Sequence, residues 1–340
     1  MSGCSAERIA WFGHDGILAQ TDELEMVIVP GLGSQVTALR SKRFGLPLLR
    51  EPASLRQYAD SPVLFGIPIL FPPNRIADGT FTYGGRTYRF DINEPEKHNF
   101  IHGFVHERPW DVADMRVEGE AVIVSTLFDA ARFPDVMRQF PHPFLIRMTF
   151  RLEGARLTMD ANIENAGTEE FPWGLGYHTT FRYPFRPEGS LERCKVQVSI
   201  GERWELDERL LPTGRLASCV LGESVRKSMF MDGVDLDDVF LAAPSAEDGK
   251  NRAVLTDLYA GVEVEYECDG HWKQWVLHNR TEGERYLCPE PYTWVTNAPN
   301  VPLPPDMTGL QTLKPGETKR LRTVITVRAA SGGNVGNVSS

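Results

Sequence analysis

No apolar run in this 340-residue chain is long enough to cross a bilayer. The longest, Pro62 to Pro73, is interrupted by proline and glycine, whereas a spanning helix needs roughly 20 consecutive apolar residues. Basic residues are outnumbered too: 36 Lys and Arg stand against 46 Asp and Glu, for a net charge of −10. Without a broad basic face the chain suits neither nucleic acid nor an anionic membrane. The opening MSGCSAERIAWFGHDG has neither the basic nor the apolar region of a secretory signal, so a cytoplasmic location is expected. Cysteines are few. Cys4, Cys194, Cys219, Cys268 and Cys288 are odd in number, widely spaced and free of any C-x-x-C. That pattern excludes a disulfide framework and a zinc ribbon and leaves reduced thiols. Gly31 and Gly33 open no G-x-G-x-x-G, so a dinucleotide fingerprint is missing as well. Helical periodicity is scarce: Asp22–Glu25, Ser54–Gln57 and Ser224–Met229 would each give a turn or two.

What the chain has instead is two-residue alternation. Leu157, Met159, Ala161 and Ile163 alternate with Thr158, Asp160, Asn162 and Glu164. Val196, Val198 and Ile200, then Val262, Val264, Tyr266 and Cys268, then Leu321, Thr323, Ile325 and Val327 repeat the pattern. Such alternation predicts strands with one buried and one wet face. Residues 23–29, 36–39 and 121–127 read as further strands, and residues 132–143, with Phe-Pro and Pro-His-Pro, as a turn region. Gly84-Gly85 between Phe81-Thr82-Tyr83 and Arg86-Thr87-Tyr88 is a hairpin signal. Twenty-four prolines and thirty glycines fit many short strands joined by turns. The expected fold is all-β: one large antiparallel β-sandwich domain over residues 1–328 with few short helices, followed by a disordered tail at 329–340.

Candidate chemistry gathers in a few places. The stretch from Ser61 to Trp110 carries the polar pair Asn74-Arg75 and then His102 beside Gly103. His98, His102 and His106 are spaced four apart, but Pro95, Gly103 and Pro109 argue against the helix that would make them a metal face. In extended chain they would share one side at about 13 Å separations, too far to share an ion. His178 lies among aromatics and glycines in WGLGYHTTF, which suits a sugar pocket and a plain sandwich core alike. Glu290 stands between two prolines after an apolar segment. A carboxylate desolvated there would have a raised pKa and can act as a general base. Asp237 belongs to an acidic cluster before a strand, a pattern that also fits a solvated loop.

Taken together, FGIPILFPPNRIADGTF, IHGF…RPW, GYHTTF, LLPTGRL, DLDDVF, CPEPYT…NAPN and LKPGET occur in an order that resembles the aldose 1-epimerase (galactose mutarotase-like) family, from about residue 24 to 328. The resemblance implies the galactose mutarotase-like supersandwich and interconversion of the α and β anomers of a hexose. It implies Glu290 as the base at the anomeric hydroxyl, His178 as the acid at the ring oxygen and His102 as a second site histidine. Arg75, with its neighbour Asn74, and Asp237 would hold sugar hydroxyls. No cofactor and no metal is implied, and the partner is a small sugar, with the protein a monomer or homodimer. The His-Gly-Phe…Trp form after His102 is similar to hexose-6-phosphate 1-epimerases, for which Arg75, Arg86 and Arg108 together could bind phosphate, although Arg86 and Arg108 also read as solvating charges on strand faces. Two other readings stay open: a glycoside hydrolase with Glu290 and Asp237 as its carboxylate pair, and a carbohydrate-binding sandwich without proton transfer.

Overall fold

The computed structural model describes residues 3–331. Among these, the strands form two large antiparallel sheets of nine and eight strands, a five-stranded meander at the start of the chain, and several two-stranded ribbons. The nine-stranded sheet runs from Asp111–Glu118 through Phe144–Glu153, Arg156–Asn165 and Thr318–Ala329 to Met229–Phe230. The eight-stranded sheet holds Asp237–Ala242, Gln274–Arg280, Tyr286–Tyr292 and Gly176–Tyr177 side by side. The two sheets face each other: Tyr266 of the first packs against Trp275 of the second (6.0 Å between ring centroids), and Trp275 Nε1 donates to Asn251 Oδ1 at 2.7 Å. Tyr177 reaches across to Met148 in the same way. The main hydrophobic core is continuous between them and extends to the meander. No helix among the described residues is long and apolar enough to cross a membrane.

The alternating segments are strands, and the alternation sets their facing. Leu157, Met159, Ala161 and Ile163 are buried while Thr158, Asp160, Asn162 and Glu164 keep solvent contact. Gly84-Gly85 turns the hairpin Thr80–Tyr83/Arg86–Arg89, with both glycines at positive φ as the turn demands. Short helices occur at Leu55–Asp60 and Val220–Lys227, near two of the three places expected. The third expectation is corrected: Leu24 already belongs to the strand Leu24–Val29, whose β-branched run overrides one turn of helical spacing. The turn region at 132–143 contains the helix Pro134–Gln139, started by a proline at its first position and an acidic residue in its first turn. The alternation through Val196, Val198 and Ile200 spans two strands: at Ser199 the chain leaves the nine-stranded sheet, where Cys194–Val198 lies, and enters the eight-stranded one with Ile200–Leu206. Two residues of the expected tail are ordered, since Ala329 ends a strand and the Ala330 N–H donates to Gly261 O at 3.0 Å. The rest of that expectation, residues 332–340, lies outside the described residues.

Candidate active site

The strand Tyr286–Tyr292 organises the site. Antiparallel register pairs Trp275 with Pro291 and Leu277 with Pro289 on one side, and Val276 with Glu290 and His278 with Cys288 on the other. Directly paired residues share a face. Trp275 points into the core, so Tyr286, Cys288, Glu290 and Tyr292 occupy the opposite face, together with His278 and its partner Asp237 on the next strand. On its other flank this strand is paired only intermittently, through Gly176–Tyr292, Phe181–Leu287 and Arg182–Tyr286. Pro289 and Pro291 have no N–H to give to a ladder, and they fall where the pairing is interrupted. The neighbouring chain passes this gap with His178, whose N–H is held by Pro68 O at 3.1 Å.

His178 and Glu290 meet there. His178 Nε2 lies 3.4 Å from Glu290 Oε1, and both residues are buried. Tyr292 Oη donates to the other carboxylate oxygen, Oε2, at 2.5 Å. Gly176 makes room for this arrangement, since a Cβ on it would stand 2.4 Å from the Tyr292 ring. His102 packs edge-on against His178, 5.5 Å between ring centroids, and His106 lies 6.4 Å beyond His102. The expectation that His98, His102 and His106 sit in extended chain is therefore corrected. His102 and Gly103 both have positive φ, and this bend folds His106 back toward His102 while His98 stays exposed on Asp78. Asp237 stands at the exposed rim with its Oδ1 3.8 Å from His278 Nδ1, and His278 Nε2 meets Tyr286 Oη at 3.2 Å.

Asn74 and Arg75 are held beside this cluster by their own supports. Arg75 forks onto Glu94, with Nε 2.9 Å from Oε2 and Nη2 2.8 Å from Oε1. Asn99 also donates to Glu94, at 2.8 Å. Asn74 is buried at positive φ, and its Oδ1 accepts from the Arg75 N–H at 2.9 Å. Arg86 and Arg108 do not join Arg75. Arg86 pairs with Glu169 at 2.8 Å and Arg108 with Asp135, so each guanidinium has its own carboxylate, in keeping with their reading as solvating charges rather than as part of a phosphate cluster.

Burial drives the two central groups in opposite directions. It pushes the His178 imidazolium down to about 3 and the Glu290 carboxyl well above its ordinary range. The Tyr292 hydroxyl and the positive field of Arg75 pull Glu290 partly back, while Asp237 pushes it further up. His102 is lowered as well, by burial first and then by its histidine neighbours. At 3.4 Å the titration belongs to the pair, which between those two limits holds one proton between its two members. The Nδ1 atoms of His102, His106, His178 and His278 are buried without a hydrogen-bond partner among the described residues. Four such atoms beside one carboxyl suit a ligand rich in hydroxyl groups.

Among the described residues, one grouping has metal-ligating potential: His178, Cys288 and Glu290 bring nitrogen, sulfur and oxygen within 4.8 Å of one another. The fit is poor. A thiol binds a cation as thiolate, and burial pushes the Cys288 thiol well up. One Glu290 oxygen is already taken by Tyr292.

Four members of the cluster were missed from sequence. Tyr292 shared the two-residue period of Glu290 and was available from that signal alone. His278, Glu94 and His106 depend on strand register or chain reversal, which no local pattern carries.

Fold and site together define a β-sandwich with an acid–base cluster on the outer face of one sheet. The Aldose 1-epimerase family model matches residues 16–326. Galactose mutarotase of Sus scrofa is 28% identical over 202 residues, which is 58% of this chain and 56% of the pig protein. The uncharacterized protein YihR of Escherichia coli K12 is 26% identical over 149 residues, 43% of this chain and 44% of its own. The alignments thus span about half the length of these curated relatives. The crystal structure of a galactose mutarotase-like protein from Clostridium acetobutylicum superposes with a TM-score of 0.91 at 29% identity, covering 96% of this chain and 99% of that one. The chain belongs to the aldose 1-epimerase family.

Proposed function

We propose that this protein, its residues 1–328 acting as one domain, is an aldose 1-epimerase that interconverts the anomers of a hexose. The observation that carries this reading is the 3.4 Å contact of His178 Nε2 with Glu290 Oε1 on a sheet face that also presents Asp237 and His278. Ring opening removes a proton from O1 and delivers one to O5. Carboxylate Glu290 takes the first while imidazolium His178 gives the second; the C1–O5 bond breaks and an aldehyde forms. After rotation about C1–C2 the same protons return, and O5 attacks the other face of C1. A pair holding one proton has what this needs: one to give and one place to receive. In its neutral partition, carboxyl beside imidazole, the pair matches the open-chain aldehyde; in its charged partition it matches the ring. His102 would hydrogen-bond near O5, and Arg75, Asn74 and Asp237 would hold sugar hydroxyls.

The hydrolase reading leaves this histidine–glutamate contact unused, and the pairing of Arg86 and Arg108 with carboxylates of their own supports a free hexose over a 6-phosphate. The test is NMR exchange between anomers of glucose, galactose and glucose 6-phosphate at low buffer concentration, with wild type and His178→Ala. Exchange accelerated by wild type and lost in the variant is expected for at least one sugar. Sugar binding with no acceleration would replace the epimerase with a carbohydrate-binding sandwich.

Tyr292 supplies a sharper prediction. Its hydroxyl stabilises the ionised form of Glu290, so Tyr292→Phe raises the pH at which the pair loses its shared proton. The alkaline limb of kcat/KM is expected to move to higher pH. The acid limb, set by adding a second proton to His178, is expected to stay below the ordinary imidazole range. A profile unchanged in Tyr292→Phe would remove Tyr292 from the site.

A further inference from the structure

Away from the His178–Glu290 contact, five arginines line one cavity of about 400 Å³: Arg40, Arg50, Arg182, Arg186 and Arg285. The cavity lies where the turn at Gly283–Arg285, between the strands Gln274–Arg280 and Tyr286–Tyr292, meets the segments around residues 47–51 and 182–187. Only two carboxylates, Glu51 and Glu284, share its wall. Arg40 forks onto Glu51 and also pairs with Glu25, and Arg50 pairs with Glu284 at 2.8 Å. Arg182, Arg186 and Arg285 have no carboxylate within 4.0 Å among the described residues. Arg285 reaches only the neutral carbonyls of Pro187 and Gly189, at 3.2 and 2.8 Å, and Arg186 that of Phe44, at 3.5 Å. Arg50 Nε is buried with no hydrogen-bond partner among the described residues.

Five cations against two carboxylates is a local excess of positive charge in a chain whose net charge is −10. Four of these arginines are partly buried, where their mutual repulsion is screened less than at an open surface. We propose that this cavity is a binding site for a compact multivalent oxyanion of the phosphate and diphosphate class. Guanidinium forks match the planar oxygen pairs of such an ion, and several converging forks would hold it from different sides. The site is distinct from the sugar face, although it adjoins it: the Arg50 guanidinium lies 5.0 Å from the centre of the Tyr286 ring, whose hydroxyl meets His278.

The experiment is isothermal titration of the full chain with inorganic pyrophosphate at low ionic strength. One saturable site is expected, weakening as KCl is added. Binding should fall about tenfold or more in Arg182→Gln/Arg186→Gln and stay unchanged in Glu290→Gln, which alters only the sugar face. If the double variant melts below wild type, Arg182→Lys takes its place. It keeps the charge but gives up the fork, and weaker binding is again expected. Three results would overturn the site: no saturable heat at millimolar pyrophosphate, an affinity untouched by the arginine variants, or an affinity lost in Glu290→Gln. The last would put the anion in the sugar cleft. Because no arm depends on anomer exchange, the outcome is separate from that of the epimerase reading.

Discussion

Glu290→Gln is expected to lower kcat for anomer exchange by about 10²–10⁴-fold, the usual contribution of a positioned general base, with sugar affinity nearly unchanged. Glutamine keeps the volume of the side chain and an oxygen for the Tyr292 hydroxyl, which now donates at 2.5 Å. It cannot accept a proton. The measurement is saturation-transfer NMR on the sugar that wild type turns over fastest, with line broadening to follow binding. Retention of full exchange would remove Glu290 as the base and with it the proposed chemistry.

The second large effect is expected at Gly103→Ala, through the backbone. Gly103 has φ +75°, and a Cβ placed on it would lie 2.3 Å from the carbonyl oxygen of Phe71. The left-handed conformation alone costs about 1–3 kcal/mol for a residue with a side chain. The collision adds to it, because the atom in the way is backbone and cannot rotate aside. Two hydrogen bonds hold this crossing, from His102 N to Asn74 O at 3.0 Å and from Phe104 N to Phe71 O at 2.9 Å. A total loss above about 3 kcal/mol is therefore expected, read as a lower urea midpoint and a lower Tm. Exchange activity should fall as well, since His102 is the next residue. A variant as stable as wild type would mean that the loop shifts at little cost.

Strands were readable at several places where one face is wet, although Phe144–Glu153 and Asn251–Asp257, which share that alternation, were not among those expected. At Arg156–Asn165 every second residue is buried, as its alternation predicts. Where both faces are covered, alternation stops informing. In Tyr286–Tyr292 all seven residues are buried, and only the prolines around Glu290 marked it as unusual. Glu265 shows the opposite failure: placed by alternation on the wet face, it is buried beneath Arg328, Arg252 and Lys250, the nearest Nη2 at 3.4 Å. Individual candidate residues such as Glu290, His178 and Asn74-Arg75 carried local signals of composition. Their supports did not. Glu94 reaches Arg75 from 19 positions away, and His278 faces Asp237 only once strand register is known. Arg86 and Arg108 illustrate the same limit, since their carboxylate partners, Glu169 and Asp135, are distant in sequence.

The contact between His178 and Glu290 has a bearing on how such a catalyst would relate to its medium. In free solution a sugar changes anomer with help from whatever acids and bases the buffer contains. A pocket whose two groups pass a single proton to and fro finishes every turnover in the state in which it began. It takes nothing from bulk water and returns nothing to it. Its rate would be indifferent to buffer concentration, and it would catalyse the change in both directions, with the position of equilibrium left to the sugar.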